Sequence, residues 1–147
     1  MRAGSLAVAA PLLRFDDSAV DALRTLTTSA LPGIVAFDGA RYTVIPGSQV
    51  LRIALPRYIL DDPALARVWD EASADTLITR LRERTVADLV AALDRPTRQP
   101  EPSVDVRATT IEVAAVMSAA RVPLVAVVDG TEYAGVITVN VLVEALI

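Results

Sequence analysis

The sequence predicts an α/β (α+β) fold: two β-α-β-β-α units packed as a pseudo-two-fold pair, with a helical segment inserted between them. Three observations lead there. Sliding the chain by 91 positions lays residues 15–55 on 106–146 without a gap. Each copy carries a β-branched apolar run, an Asp-Gly pair and a second apolar run. The stretch between the copies has helical periodicity and no partner in the repeat.

In the repeat, Pro32 meets Pro123, Asp38 meets Asp129, Gly39 meets Gly130 and Tyr42 meets Tyr133. Further along, Val50 meets Val141, Leu51 meets Leu142, Ala54 meets Ala145 and Leu55 meets Leu146. Ser18 and Thr109 are residue types that accept bonds from a helix's first free N–H groups, so each opens a helix. Val20, Leu23 and Leu26 form the buried stripe of the first helix; Ile111, Ala114, Ala115 and Met117/Ser118 form that of its counterpart. After Pro32 and Pro123 come strands Gly33–Phe37 and Leu124–Val128, each apolar throughout, as in a strand covered on both faces. The return strands are Tyr42–Ile45 and Tyr133–Ile137, followed by helices Ser48–Leu55 and Val139–Leu146. A short strand precedes each first helix: Leu6–Val8 in copy one, Ser103 and Val104 in copy two.

The expected organisation is therefore unit one over 1–55, an inserted helical segment over 56–84, and unit two over 85–147. In the middle, Asp62-Pro63 is a helix start, and Leu65, Val68, Trp69 and Ala72 fall on one face. Ser73 is expected to cap a second helix bearing Leu77, Ile78 and Leu81. Thr85 with Asp88 resembles a capping box and opens a third, with Val86, Leu89, Val90 and Leu93 inward. Pro96, Pro100 and Pro102 mark residues 95–102 as a linker.

Composition excludes several function classes. There is no cysteine and no histidine, hence no disulfide, no thiol nucleophile and neither of the commonest general base and metal ligand. All 14 basic residues are arginine, so Schiff-base chemistry and a Walker-type lysine are excluded. The net charge of −4 argues against a nucleic-acid partner. The apolar run Leu6–Leu13 is too short for a signal peptide and is broken by Pro11. No run of about 18 apolar residues exists to insert in a bilayer, so the expected location is cytoplasmic. Hydrophobic residues are 53% of the chain with aromatics only 4%, which suits a packed α/β core with apolar surface left for a partner subunit.

The "ALPGIVAFDG" stretch of copy one and "RVPLVAVVDGTEYAGVITVNVLVEAL" of copy two resemble the CBS domain family, whose members occur as tandem pairs (Bateman modules) in this β-α-β-β-α order. The resemblance covers residues 1–55 and about 85–147; the helical stretch 56–84 lies outside the family pattern. It implies a non-catalytic regulatory module, and many members bind adenosine nucleotides or S-adenosylmethionine between the units. In those members a Gly-hydrophobic-hydrophobic-Thr/Ser-x-x-Asp motif opens the last helix, the hydroxyl meeting phosphate or ribose and the Asp bonding both ribose hydroxyls. One carboxylate can accept from two vicinal O–H groups, and a helix N-terminus favours phosphate. Here copy two keeps Thr138 but has Val141 at the Asp position, while the gapless alignment gives copy one Gly47 and Val50.

The candidate ligand residues implied are Ser29, Ala30, Ser48, Gln49, Arg121, Val122, Thr138 and Asn140. Gln49 and Asn140, equivalent in the repeat, are either ligand contacts or solvent-facing first-turn residues. Thr138 is either a ligand hydroxyl or an N-cap, and Arg121 either a phosphate contact or a surface arginine. Arg80, Arg82 and Arg84 stabilise a helix C-terminus or form an anion site. Asp16-Asp17 and Asp61-Asp62 read as caps, and Trp69 as core of the inserted helices or as an interface anchor. The expected function is a homodimeric sensor of AMP, ADP, ATP or S-adenosylmethionine, with no required cofactor, acting on a separate enzyme or membrane transporter. The alternative is a ligand-free scaffold with degenerate clefts. An enzyme working through carboxylates alone is the third reading, and no base, nucleophile or metal cluster supports it.

Overall fold

The computed structural model describes residues 1–95 and 98–147, so Pro96 of the expected linker lies outside the described residues. The chain runs α1 (Ala3–Leu6), β1 (Leu12–Arg14), α2 (Ala19–Ser29), β2 (Gly33–Phe37), β3 (Tyr42–Pro46) and α3 (Gly47–Val50), which continues as a 3-10 turn (Arg52–Ala54). Then come α4 (Arg57–Asp61), a 3-10 helix (Pro63–Val68), α5 (Ala72–Arg82) and α6 (Val86–Ala91). The second unit is β4 (Ser103–Asp105), α7 (Thr110–Ala120), β5 (Leu124–Asp129), β6 (Glu132–Thr138) and α8 (Val139–Leu146). The strands form two sheets of like order, β1-β2-β3 and β4-β5-β6, the first pair of each parallel and the second antiparallel.

The repeat is visible in the pairing itself. Leu12 faces Val35 in one sheet, and Ser103 faces Ala126 in the other, both shifted by the 91 positions of the sequence repeat. The helix starts also match: the Ser18 hydroxyl accepts from the Asp21 N–H, and the Thr109 hydroxyl from the Glu112 N–H. Both helices end on a left-handed residue, Ala30 and Arg121, each at φ 55°. The first Asp-Gly lies in a four-residue loop closed by the Asp38 carboxylate, which accepts from the N–H groups of Ala40 and Arg41. Those bonds hold the Asp38 carboxyl below its ordinary pKa. In the second copy one more pair forms, Asp129 with Glu132, and Gly130 takes φ 63° in the tighter turn.

After the tyrosines the register changes. Phe37 faces Tyr42 and Val128 faces Tyr133, still 91 apart. But Ala36 faces Thr43 while Val127 faces Gly135, because a bulge leaves Ala134 unpaired in β6. From there on the structural equivalence is 92, so the gapless alignment is one residue out through the last helix. The Gly47 N–H bonds the Pro32 carbonyl, and its counterpart is the Val139 N–H on the Pro123 carbonyl. Val50, fully buried, thus matches Leu142 and not Val141.

Two apolar clusters hold the units. In β2, Val35 faces a cluster shared with unit two, while Ile34 and Ala36 face the helices of unit one, as the period of two demands. In β3, Tyr42 and Val44 take the shared side and Ile45 the other. Leu81, Val86 and Leu89 close the unit-one cluster, so α6 packs there even though it follows the inserted segment. The capping box at Thr85 forms in full, its hydroxyl accepting from the Asp88 N–H and the Asp88 carboxylate from the Thr85 N–H.

Several expectations change. The first strand of copy one is Leu12–Arg14, not Leu6–Val8. The N-terminal segment instead serves unit two: the Ala3 and Gly4 N–H groups bond the carbonyls of Ala108 and Val106, and Val8 bridges Val136. Gly135, at φ 133°, leaves room there; a Cβ would strike the Val8 carbonyl. In α7, Ile111 and Ala115 face outward, and Val113, Met117 and Ala120 are buried. The helix is apolar nearly all round, so periodicity could not orient it. Leu65 and Val68 are exposed, because Pro63–Val68 is a short 3-10 helix with no core beneath it. Ser73 does not cap α5; its N–H and hydroxyl both donate to the Asp70 carboxylate.

Tyr42 and Tyr133, equivalent in the repeat, stack 6.1 Å apart between the sheets. The Tyr133 hydroxyl is buried without a hydrogen-bond partner, and burial pushes its pKa up to about 12. Its folded pKa lies above the ordinary value of 10.0, so the unfolded chain ionises first. Stability is therefore expected to fall as pH rises from 10 towards 12, in denaturant melts at stepped pH. Tyr133→Phe should leave or raise the neutral-pH midpoint and shrink that alkaline loss. The 92-residue offset makes a second prediction. Val50→Ala should cost about 2 kcal/mol and Leu142→Ala about 2–5 kcal/mol, from lost burial and cavity formation. Val141→Ala, at a half-buried position, should cost about 1 kcal/mol or less in the same melts.

Candidate functional site: two clefts between the units

The helix-ending residues of one unit face the last-helix start of the other, twice. The first cleft, about 310 Å³, lies between Val44, Pro46 and Gln49 of unit one and Ala120, Arg121 and Val122 of unit two. The second, about 440 Å³, is formed by Ala30, Leu31 and Pro32 against Thr138, Val139 and Asn140. They are the two copies of one arrangement, since Ala30 corresponds to Arg121 and, with the bulge counted, Pro46 to Thr138.

The candidate residues divide between them. Gln49, Arg121 and Val122 line the first cleft; Ala30, Thr138 and Asn140 line the second. Ser48 is exposed and lines neither. Ser29 ends α2 beside the second cleft, its hydroxyl buried and without a hydrogen-bond partner. Thr138 is 9% exposed, and its hydroxyl accepts from the Val141 N–H as the N-cap of α8. Its oxygen is thereby engaged, though its O–H can still donate.

Counting the bulge also corrects the motif comparison. Gln49 and Asn140 are not equivalents; Gln49 matches Val141, and Asn140 matches Ser48. In unit one the motif Thr43-Val44-Ile45-Pro46-Gly47-Ser48-Gln49 puts Pro46 at the hydroxyl position and Gln49 at the carboxylate position. Val50, the expected occupant, is in the core instead. One cleft thus keeps a polar group where the other presents Val141.

The chain between the units supplies what the sequence reading missed. Leu93, Asp94, Arg95 and Gln99 also line the first cleft. The Gln49 amide clasps the Asp94 backbone, its oxygen accepting from the Asp94 N–H at 3.1 Å and its nitrogen donating to the Asp94 carbonyl at 3.5 Å. The Gln99 amide donates to the Ala120 carbonyl at the end of α7. Two exposed arginines, Arg95 and Arg121, thus line one concave surface together with Asp94. Among the described residues, the second cleft has no cationic side chain in its lining. The available signal was an Arg and a Gln interleaved with linker prolines, which a reading of the segment as spacer passes over.

No family model matches the chain, and no curated protein does. Among solved structures, a CBS domain-containing protein of unknown function from Kribbella flavida is 38% identical, with 99% of this chain and 98% of that chain covered at a TM-score of 0.78. This chain belongs to the CBS domain family. The CBS domain of a membrane protein from Sphaerobacter thermophilus shares the fold at 18% identity and a TM-score of 0.69, covering 100% of this chain and 88% of that one. The protein CBSX2, solved in complex with AMP, does so at 17% identity and a TM-score of 0.62, covering 99% and 95%. The two three-stranded sheets of like order are the CBS pair that the resemblance implied.

The left-handed residues that shape the clefts can be tested. A left-handed alanine costs what glycine does not. Ala30→Gly is expected to stabilise this CBS pair by about 1 kcal/mol in urea melts. An unchanged or lowered midpoint would show that α2 ends in another conformation.

Proposed function

We propose that this CBS pair is a non-catalytic regulatory module that takes a phosphorylated, adenosine-type ligand in the first cleft and acts on a separate protein, an enzyme or a membrane transporter. The carrying observation is the joint lining of that cleft by Arg95, Arg121 and the Gln49 amide. Guanidinium forks suit phosphate oxygens, and an amide both donates and accepts, so Gln49 can meet a ribose hydroxyl where the family uses a carboxylate. The AMP complex of CBSX2 supports the ligand class. Lacking a cation, the second cleft is left unused, so one ligand binds per chain. Binding would release Gln49 from Asp94 and shift the packing of the two units by its differential affinity.

Calorimetry with AMP, ADP, ATP and S-adenosylmethionine tests this. At least one should bind at sub-millimolar concentration with a stoichiometry near one. Arg121→Ala should weaken it about tenfold or more, the loss of a charge-assisted contact, while Asn140→Ala leaves it unchanged. Undiminished binding by Arg121→Ala would remove the first cleft from the proposal. A silent panel would favour the second reading, a ligand-free scaffold, for which the Gln49 clasp on Asp94 speaks: the cleft's polar group is already satisfied within the chain.

The CBS pair is also proposed to form a homodimer through α7 and α8. Val139, Val143 and Leu146 lie at one helical spacing on the outer side of α8, each 41–49% exposed, and Ile111 of α7 is 69% exposed. Light scattering on a sizing column should give twice the chain mass, and Val143→Asp should give the single-chain mass with the fold kept. A wild-type monomer at micromolar concentration would end this part.

A further inference from the structure

The inserted segment carries an apolar and acidic surface that neither cluster explains. Across α4, the 3-10 helix and α5, Ile59 and Leu81 are the buried apolar residues. Val68 is 87% exposed, Tyr58 50% and Leu65 44%. Trp69 is half-buried and held at the surface, its indole N–H donating to the Tyr58 hydroxyl at 3.1 Å. Beside it, Val68, Trp69, Asp70, Ser73 and Thr76 form a shallow cleft of about 410 Å³. Single exposed apolar side chains are ordinary, but an aromatic pair, a valine and a leucine within twelve residues form a patch.

The charge along the stretch that forms the cleft is one-sided: residues 68–76 hold Asp70, Glu71 and Asp75 and no basic residue, while Arg80, Arg82 and Arg84 follow at and after the end of α5. Residues 57–76 hold five carboxylates, Asp61, Asp62, Asp70, Glu71 and Asp75, against Arg57 and Arg67. Among the described residues the ion pairs are Arg14 with Asp16 and Arg24 with Asp21, so none of the five is in one. Asp62 and Asp70 accept from local N–H groups, and Asp70 lines the cleft. An apolar anchor with Asp70 in its lining and further carboxylates in the adjoining sequence suits a segment that offers the opposite: apolar side chains flanked by cations.

We infer that the surface formed by Tyr58, Val68 and Trp69 with Asp70 and Asp75 docks a basic, apolar-faced peptide segment of a separate protein. The apolar side chain enters beside Trp69, and the carboxylates select lysine- or arginine-flanked segments and repel acidic ones. This inference stands apart from the ligand cleft and does not need it.

Trp69 is the only tryptophan, so its emission reports the site in the intact protein. The probes are a synthetic Lys/Leu amphipathic peptide, its Glu/Leu counterpart and oligolysine. The Lys/Leu peptide should shift Trp69 emission saturably, and salt of about 0.5 M should weaken it strongly by shortening the Debye length. Val68→Ser, and separately Asp70→Asn with Asp75→Asn, should each weaken it about tenfold with little change in the melting curve, since these side chains lie at the surface and an asparagine at 70 keeps the oxygen that accepts from the Ser73 N–H. Equal binding of the Glu/Leu peptide or of oligolysine would overturn the inference, as would variants that bind like the wild type or an unshifted emission. Concentration-dependent sedimentation of the peptide-free protein, abolished by Val68→Ser, would also overturn it by making the occupant a second copy.

Discussion

Everything in the molecule depends on two three-stranded sheets sharing one apolar interior. A sheet of that size, with strands as short as β1 and β4, buries too little alone to offset chain entropy. Joined, Val35, Tyr42 and Val44 of one sheet and Leu124, Ala126 and Val136 of the other leave water together. The stacked tyrosines sit at the equivalent position of each copy, where a pseudo-two-fold arrangement brings like residues face to face. The clefts follow from this shared interior. Each exists because a loop of one unit must lie against the last-helix start of the other.

Much of the fold was legible because the repeat states it twice. The boundaries of β2 and α8, the caps at Ser18 and Thr109 and the box at Thr85 were all readable from residue type and spacing. What was not legible has identifiable causes. An extra residue inside a strand leaves no mark in a gapless alignment when the residues after it read as a strand in either register, as Gly135, Val136 and Ile137 do after Ala134. The direction of α7 was hidden because its faces are nearly equal in hydrophobicity. The placement of residues 2–8 was hidden because their partners lie about a hundred positions away and nothing local requires them.

The same causes explain how much of the site could be read. The ends of α2 and α7 and the start of α8 were singled out by the family resemblance and carried between the copies, and the cleft linings include residues of each. The polar character of the first cleft was underrated, because the uncounted bulge assigned Val50 to a position that Gln49 occupies. The linker's share was missed for another reason: Arg95 and Gln99 gain meaning only when the chain is folded back across the gap. Two clefts of one ancestry have therefore become chemically unequal, one cationic and amide-lined, the other capped and uncharged.

The N-terminal segment has a consequence for how the chain is made. Arg2 bridges Thr109, and Ala3 and Gly4 bond residues 108 and 106, so these residues are synthesised about a hundred positions before their partners. At about 5–20 residues per second, those first residues wait several seconds beyond the ribosome before their neighbours emerge. Unit one can gather its helices meanwhile, but its leading strand end stays unstitched. The two halves are thus laced together only once the second has been made, and separating the chain at the linker would leave that half without the thread that finishes it.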